Sequence, residues 1–151
     1  IVEMGLDEIF EKLSYSIAYN SEEGIIFLMN LVDLPSQDAI LFFALKNHIE
    51  HKIGRREDPA ISIVDLSKNL QKKEKTISGR LSELIKQGFL RRLDRGDYVI
   101  TVTGVKYLVE KIWSKKRILV RLIKSRSYLH NRDPILIQIA SPSEYYSRCI
   151  F

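Results

Sequence analysis

Cysteine is almost absent. One residue, Cys149, stands among 151, so no intrachain disulfide can form and a reducing compartment is expected. Four prolines and seven glycines are too few for a fibrous or low-complexity chain, and no internal repeat occurs. No apolar run approaches the roughly 20 residues that a membrane-spanning helix needs. The opening residues carry Glu3, Asp7, Glu8 and Glu11, the wrong charge for a secretory or transit leader. Phosphate-binding loops, dinucleotide-binding glycine motifs and nucleophile elbows are missing as well. His48 and His51 lie close together, but His130 is distant and no third ligand clusters with them, so a zinc centre is not expected. A lone thiol beside Arg148 is read as only a thiol. These absences predict a soluble, cytoplasmic protein with no metal, no cofactor, no membrane contact and no catalytic activity.

What is present is enough apolar sequence for a core, 45% of the residues, and a pronounced charge asymmetry. Residues 1–60 carry 11 acids and 5 bases, whereas residues 61–151 carry 8 acids and 19 bases. The first part is therefore net −6 and the second net +11, which together make the chain's +5. Such polarity points to an anionic partner for the second part, nucleic acid first and a membrane surface second. Eight of the bases fall in Lys72–Arg95 and nine in Lys106–Arg132.

Leu6, Ile9, Phe10, Leu13 and Ile17 recur at helical spacing and predict an amphipathic helix ending near Tyr19–Asn20. Ser21, followed by Glu22 and Glu23, resembles a helix cap with acids in the first turn. Periodicity does not separate helix from buried strand over Ile25–Val32; helix is the preferred reading. Pro35 opens a further helix over 36–52 that is apolar on several sides, through Ile40, Leu41, Phe42, Phe43, Ala44, Leu45 and Ile49. Such a helix must be covered on more than one face, by the N-terminal segment or by a second subunit. After the loop at Gly54–Pro59, Ile61–Ile63 forms a short edge. Ser62 caps a helix over Ile63–Leu70, with Asp65 as its box-like partner. A polar turn, Gln71-Lys72-Lys73, leads to a helix over 74–87 whose apolar face is Ile77, Leu81, Leu84 and Ile85. Gly88 sits where a left-handed C′ residue belongs. Phe89–Leu93 and Tyr98–Val102 form a hairpin around Asp94-Arg95-Gly96-Asp97. Thr101 or Thr103 then caps a helix carrying Val105, Leu108, Val109 and Ile112. Beyond it, helical spacing continues through Leu119 and Ile123 to Arg126. Ile135–Ala140 reads as a strand, and Ser141 starts a last short helix.

In this order, LPSQDAILFFAL, SIVDLSKNL, KKEKTISGRLSELIKQGFLRR and GDYVITVTGVKYLVEKI resemble the winged helix-turn-helix domain of bacterial and archaeal transcription regulators. The run Leu84–Arg91 at the end of the third helix and Thr101-Val102-Thr103-Gly104 after the wing carry the likeness. It implies a mainly α fold with a small β-hairpin wing. The winged helix-turn-helix occupies residues 34–113. A helical N-terminal extension over 1–33 serves packing or dimerisation, and a basic C-terminal extension covers 114–151. It also implies double-stranded DNA binding in transcription regulation, nucleoid association and a homodimer.

In such a motif the second helix enters the major groove, with its N-terminal turns meeting the base edges. Opposite the apolar stripe of helix 74–87 lie Lys75, Gly79, Ser82 and Lys86, flanked by Thr76, Glu83 and Ser78. Lys75 and Thr76 are the base-edge candidates. Arg80 borders the core stripe and its stem can reach out to phosphate. Gly79 departs from related domains, which often place a contacting residue there, but lets the helix backbone approach closely. Lys72 and Lys73 in the turn, Arg91 and Arg92 on the first wing strand, and Arg95 at the wing tip complete the candidate surface. Asp94 and Asp97 oppose contact at the tip, and Glu74 repels phosphate. The rival reading is a winged-helix module for protein contacts, or a non-specific part of a replication, repair or transcription complex.

Overall fold

The computed structural model describes residues 3–114, with Arg95 described in its backbone only. The segments Leu119–Ile123, Ile135–Ala140 and the Ser141 helix start lie outside the described residues. The chain begins with α1 (Leu6–Lys12) and a hairpin of β1 (Ile17–Asn20) and β2 (Gly24–Phe27). The long helix α2 (Ser36–Lys52) and the short strand β3 (Ile61–Ser62) follow. Next come α3 (Ile63–Leu70), α4 (Glu74–Lys86), β4 (Leu90–Arg92) and β5 (Asp97–Ile100). Residues 102–114 form α5. Both sheets are antiparallel: β1 with β2, and a three-stranded sheet in the order β3-β5-β4.

The N-terminal part departs from the helical expectation. Helix α1 ends at Lys12, and the chain then turns into strand at Ile17. Ile25–Val32 is not helix either: it is β2 followed by a single 3-10 turn at Leu31–Asp33. Ser21 with its two acids is the hairpin turn, not a helix cap. Asn20 Oδ1 accepts from the N–H of Glu22 at 2.8 Å and of Glu23 at 3.3 Å. The end of α2 and its following turn hold the hairpin in place. Glu50, buried near the end of α2, accepts from the Ile25 N–H at 3.2 Å. Arg55 donates to the Ser21 and Glu22 carbonyls at 2.8 and 2.7 Å. The hairpin makes the architecture mixed α and β rather than mainly α.

This arrangement accounts for the all-round apolarity of α2, which packs against β2, β5, α3 and α4. Ala39 to Phe42, Ala44, Leu45 and Ile49 are buried and belong to one core with Ile9, Leu13, Ile17 and Ile25. Phe42 is fully buried, and the Phe27 ring meets it edge-on at 6.3 Å. One chain supplies the cover, so the packing argument for a second subunit falls away.

Local signals set the remaining elements. Ser62 accepts from the Asp65 N–H at 3.2 Å and caps α3. At the end of α4, Gly88 adopts φ +80°; its N–H donates to Ile85, and that of Phe89 to Leu84, both at 3.0 Å. That is the paired bonding of a left-handed helix stop. Thr101 is the capping threonine: its hydroxyl donates to the Gly88 carbonyl at 2.6 Å and accepts from the Gly104 N–H at 3.0 Å. The Phe89 and Tyr107 rings stack at 4.3 Å across the same junction.

Gly104 is needed there because of space. A Cβ on it would lie 2.3 Å from the Phe89 carbonyl oxygen, a backbone atom that cannot swing away. Gly104→Ala is therefore expected to destabilise the fold by about 1–3 kcal/mol, as overpacking does. Gly79 has nothing within 4 Å of its added Cβ. Gly79→Ala should instead stabilise α4 by up to about 1 kcal/mol. Urea unfolding of the two variants, side by side, checks the contrast.

Candidate nucleic-acid interface

Helix α4 separates its two faces cleanly. Ile77, Leu81 and Leu84 are buried, and Ile85 is half-buried at the edge of the core. Lys75, Thr76, Ser78, Gly79, Arg80, Ser82 and Lys86 are all exposed. Lys73 is the N-cap residue of α4 and makes no side-chain cap hydrogen bond, so its start presents lysines and first-turn N–H groups.

The expected polar turn before α4 is shaped by the Gln71 backbone and by Ser67, a residue that sequence reasoning passed over. Gln71 adopts a left-handed φ of +55°, and the Ser67 hydroxyl donates to the Lys72 carbonyl at 2.5 Å. These contacts fix the angle at which α3 delivers the chain to α4. Lys72 is half-buried and Lys73 exposed. On β4, Leu90 turns inward while Arg91 and Arg92 are both exposed, so two arginines face solvent where alternation required only one. Pairing of Leu90 with Ile100 and of Arg92 with Tyr98 sets their register. The Arg95 backbone lies in a short 3-10 turn between Asp94 and Gly96.

Arg80 is exposed, and its guanidinium has a partner within the chain. Its guanidinium donates to both oxygens of Glu83, at 3.3 and 3.0 Å. Gln37 on α2 donates to the same carboxylate at 2.6 Å. The Arg80 hydrogen bond, and then that from Gln37, hold the Glu83 carboxyl below its usual pKa. Arg80 borders an open groove of about 430 Å³ with Pro35, Ser36, Gln37, Asp38 and Lys111. On its far side Lys111 of α5 donates to both oxygens of the buried Asp38, at 2.9 and 2.7 Å. Burial acts to lower the Lys111 pKa, but the Asp38 hydrogen bond and charge outweigh it and the net shift is upward. Neither Gln37 nor the Asp38–Lys111 pair carries a local motif; each depends on residues far apart in sequence.

His48 and His51, the histidines among the described residues, do not line this groove. His48 is half-buried, and burial followed by the nearby Lys52 charge lowers its pKa. Lys52 and Glu3 form an ion pair beside it. Exposed His51 faces the Arg56 carbonyl at 3.1 Å. Among the described residues no group of histidine, cysteine and carboxylate ligands is placed to hold a metal ion. Among the same residues no helix is long and apolar enough to cross a membrane.

No family model matches this chain, and neither a curated protein nor a solved structure does.

Proposed function

We propose that residues 34–113 form a winged helix-turn-helix domain that binds double-stranded DNA, with α4 in the major groove, in transcription regulation. The observation that carries this reading is the exposed face of α4. It runs from Lys75 and Thr76 through Gly79 and Ser82 to Lys86, opposite a buried stripe. A helix anchored on one side and bearing small, polar and cationic residues on the other suits groove entry. Arg91 and Arg92, exposed on the neighbouring hairpin, add cations for flanking phosphates. The order α2, β3, α3, α4 and the β4–β5 hairpin, closed by α5, supports the same reading. Two copies on half-sites about 34 Å apart extend the short sequence that one such helix reads.

Selection against random duplexes, followed by gel shift, tests the proposal directly. Enrichment of a motif supports it, and failure to retain any duplex at low salt removes it. Within the enriched motif, Lys75→Ala is expected to relax preference at one position and to cost about 1–3 kcal/mol for the preferred base. Lys86→Ala is expected to weaken all duplexes alike, as loss of a phosphate contact does. Equal, sequence-independent losses from both variants would overturn this division of roles.

A further inference from the structure

We propose that Glu83 holds Arg80 off the duplex: its carboxylate engages the guanidinium through Nη1 and takes the place that a backbone phosphate would otherwise occupy. The inference rests on the DNA reading above. It starts from the position of Glu83, which is pinned from two helices at once. Arg80 donates to it from the preceding turn of α4, and Gln37 donates to it from α2, across the mouth of the groove.

A guanidinium presents the same planar set of donors to a carboxylate and to a phosphate. While Glu83 holds Nη1, the carboxylate charge lies against the Arg80 cation and offsets it. Thr76 lies one turn before it and is exposed, so a freed Arg80 would stand beside the end of α4 proposed to read bases. The second ion pair at this groove makes an instructive contrast. Asp38 is buried and fixed to Lys111, whereas Arg80 and Glu83 are both about half exposed, at 46% and 47%. An exposed pair can be broken at little cost to stability, whereas breaking a buried one is costly. Arg80 is thus the cation at this groove that a single substitution can release without disturbing the core.

The test is the salt dependence of binding to a short random-sequence duplex, measured by fluorescence anisotropy for four proteins. These are the wild type, Glu83→Gln, Arg80→Ala and the double variant, with circular dichroism confirming that each is folded. Glu83→Gln should steepen the slope of log K against log salt by about 0.9, the increment for one added phosphate contact on duplex DNA. Arg80→Ala alone should change the slope by less than about half of that, and the double variant should lose the gain. The inference is overturned if Glu83→Gln leaves the slope unchanged, or steepens it equally without Arg80, which is the effect of charge alone. It is also overturned if Arg80→Ala by itself flattens the wild-type slope by a full contact. Each of these outcomes leaves the DNA reading standing. Absence of wild-type binding at low salt overturns that reading and this inference with it.

Discussion

Duplex binding is expected to weaken by about 10³–10⁵-fold when salt rises from about 50 to 200 mM, the range for proteins that neutralise about 6 to 10 phosphates. Eight bases lie in Lys72–Arg95, and three acids stand among them. Lys73, Lys75, Lys86, Arg91 and Arg92 are exposed, and they surround the start of α4, its far end and the adjoining strand. Displacement of condensed counterions by these groups makes log K fall linearly with log salt, whereas apolar contact does not. Anisotropy titrations at several salt concentrations give the slope. A flat response would transfer support to the protein-interaction reading, in which Glu74, Glu83, Asp94 and Asp97 are recognition elements. The withdrawal of Arg80 onto Glu83 places the expectation for the native protein towards the shallower end of the range.

Truncation of Phe42 is the largest expected effect on stability. Phe42 has no exposed surface, and its ring meets that of Phe27, on the N-terminal hairpin, in a T-shaped contact at 6.3 Å. Phe42→Ala should cost about 3–5 kcal/mol, the range for deleting a buried phenyl ring and leaving a cavity. For a domain with about 5–15 kcal/mol in total, that is a large share of the whole. Phe27 is only half-buried. Its replacement should cost less, and a double-mutant cycle should return about 0.5–1.5 kcal/mol for the ring pair. Urea denaturation reads all three. The loss on Phe42→Ala should be the same at every protein concentration, because Phe42 is covered from within its own chain. A Phe42→Ala loss that changes with concentration would mean that a second copy supplies part of that cover. A Phe42→Ala loss below about 1 kcal/mol would mean that the hairpin does not dock on α2.

Much of the chain was legible because its signals are local. A hydroxyl before a period of 3.6 starts α3, and Ile77, Leu81 and Leu84 at helical spacing define α4. Gly88 stops α4 in the one conformation that favours glycine, and a glycine-bearing tip divides two short strands. Which residues of α4 face solvent followed from the same arithmetic, since burial of one stripe dictates exposure of the opposite one. The N-terminal segment was not legible in this way. Leu6, Ile9 and Leu13 fit a helix, and nothing local forbids its continuation through Ile17. Extended backbone wins because β1 pairs with β2, which packs on α2, with Glu50 and Arg55 holding their turn.

The state of Arg80 was equally hidden. The sequence places it on α4 with an outward stem, but its partner Glu83 is held by Gln37, 46 residues away on another helix. Residues 62 to 89 by themselves determined the α3 cap, the exposed face of α4 and the glycine that ends it. Those depend on hydrogen bonds and periodicity within a few residues. Only the tertiary structure decided what covers α2 and which cation is already engaged. Burial and charge pairing join segments that chain connectivity leaves far apart, and no local rule carries that information.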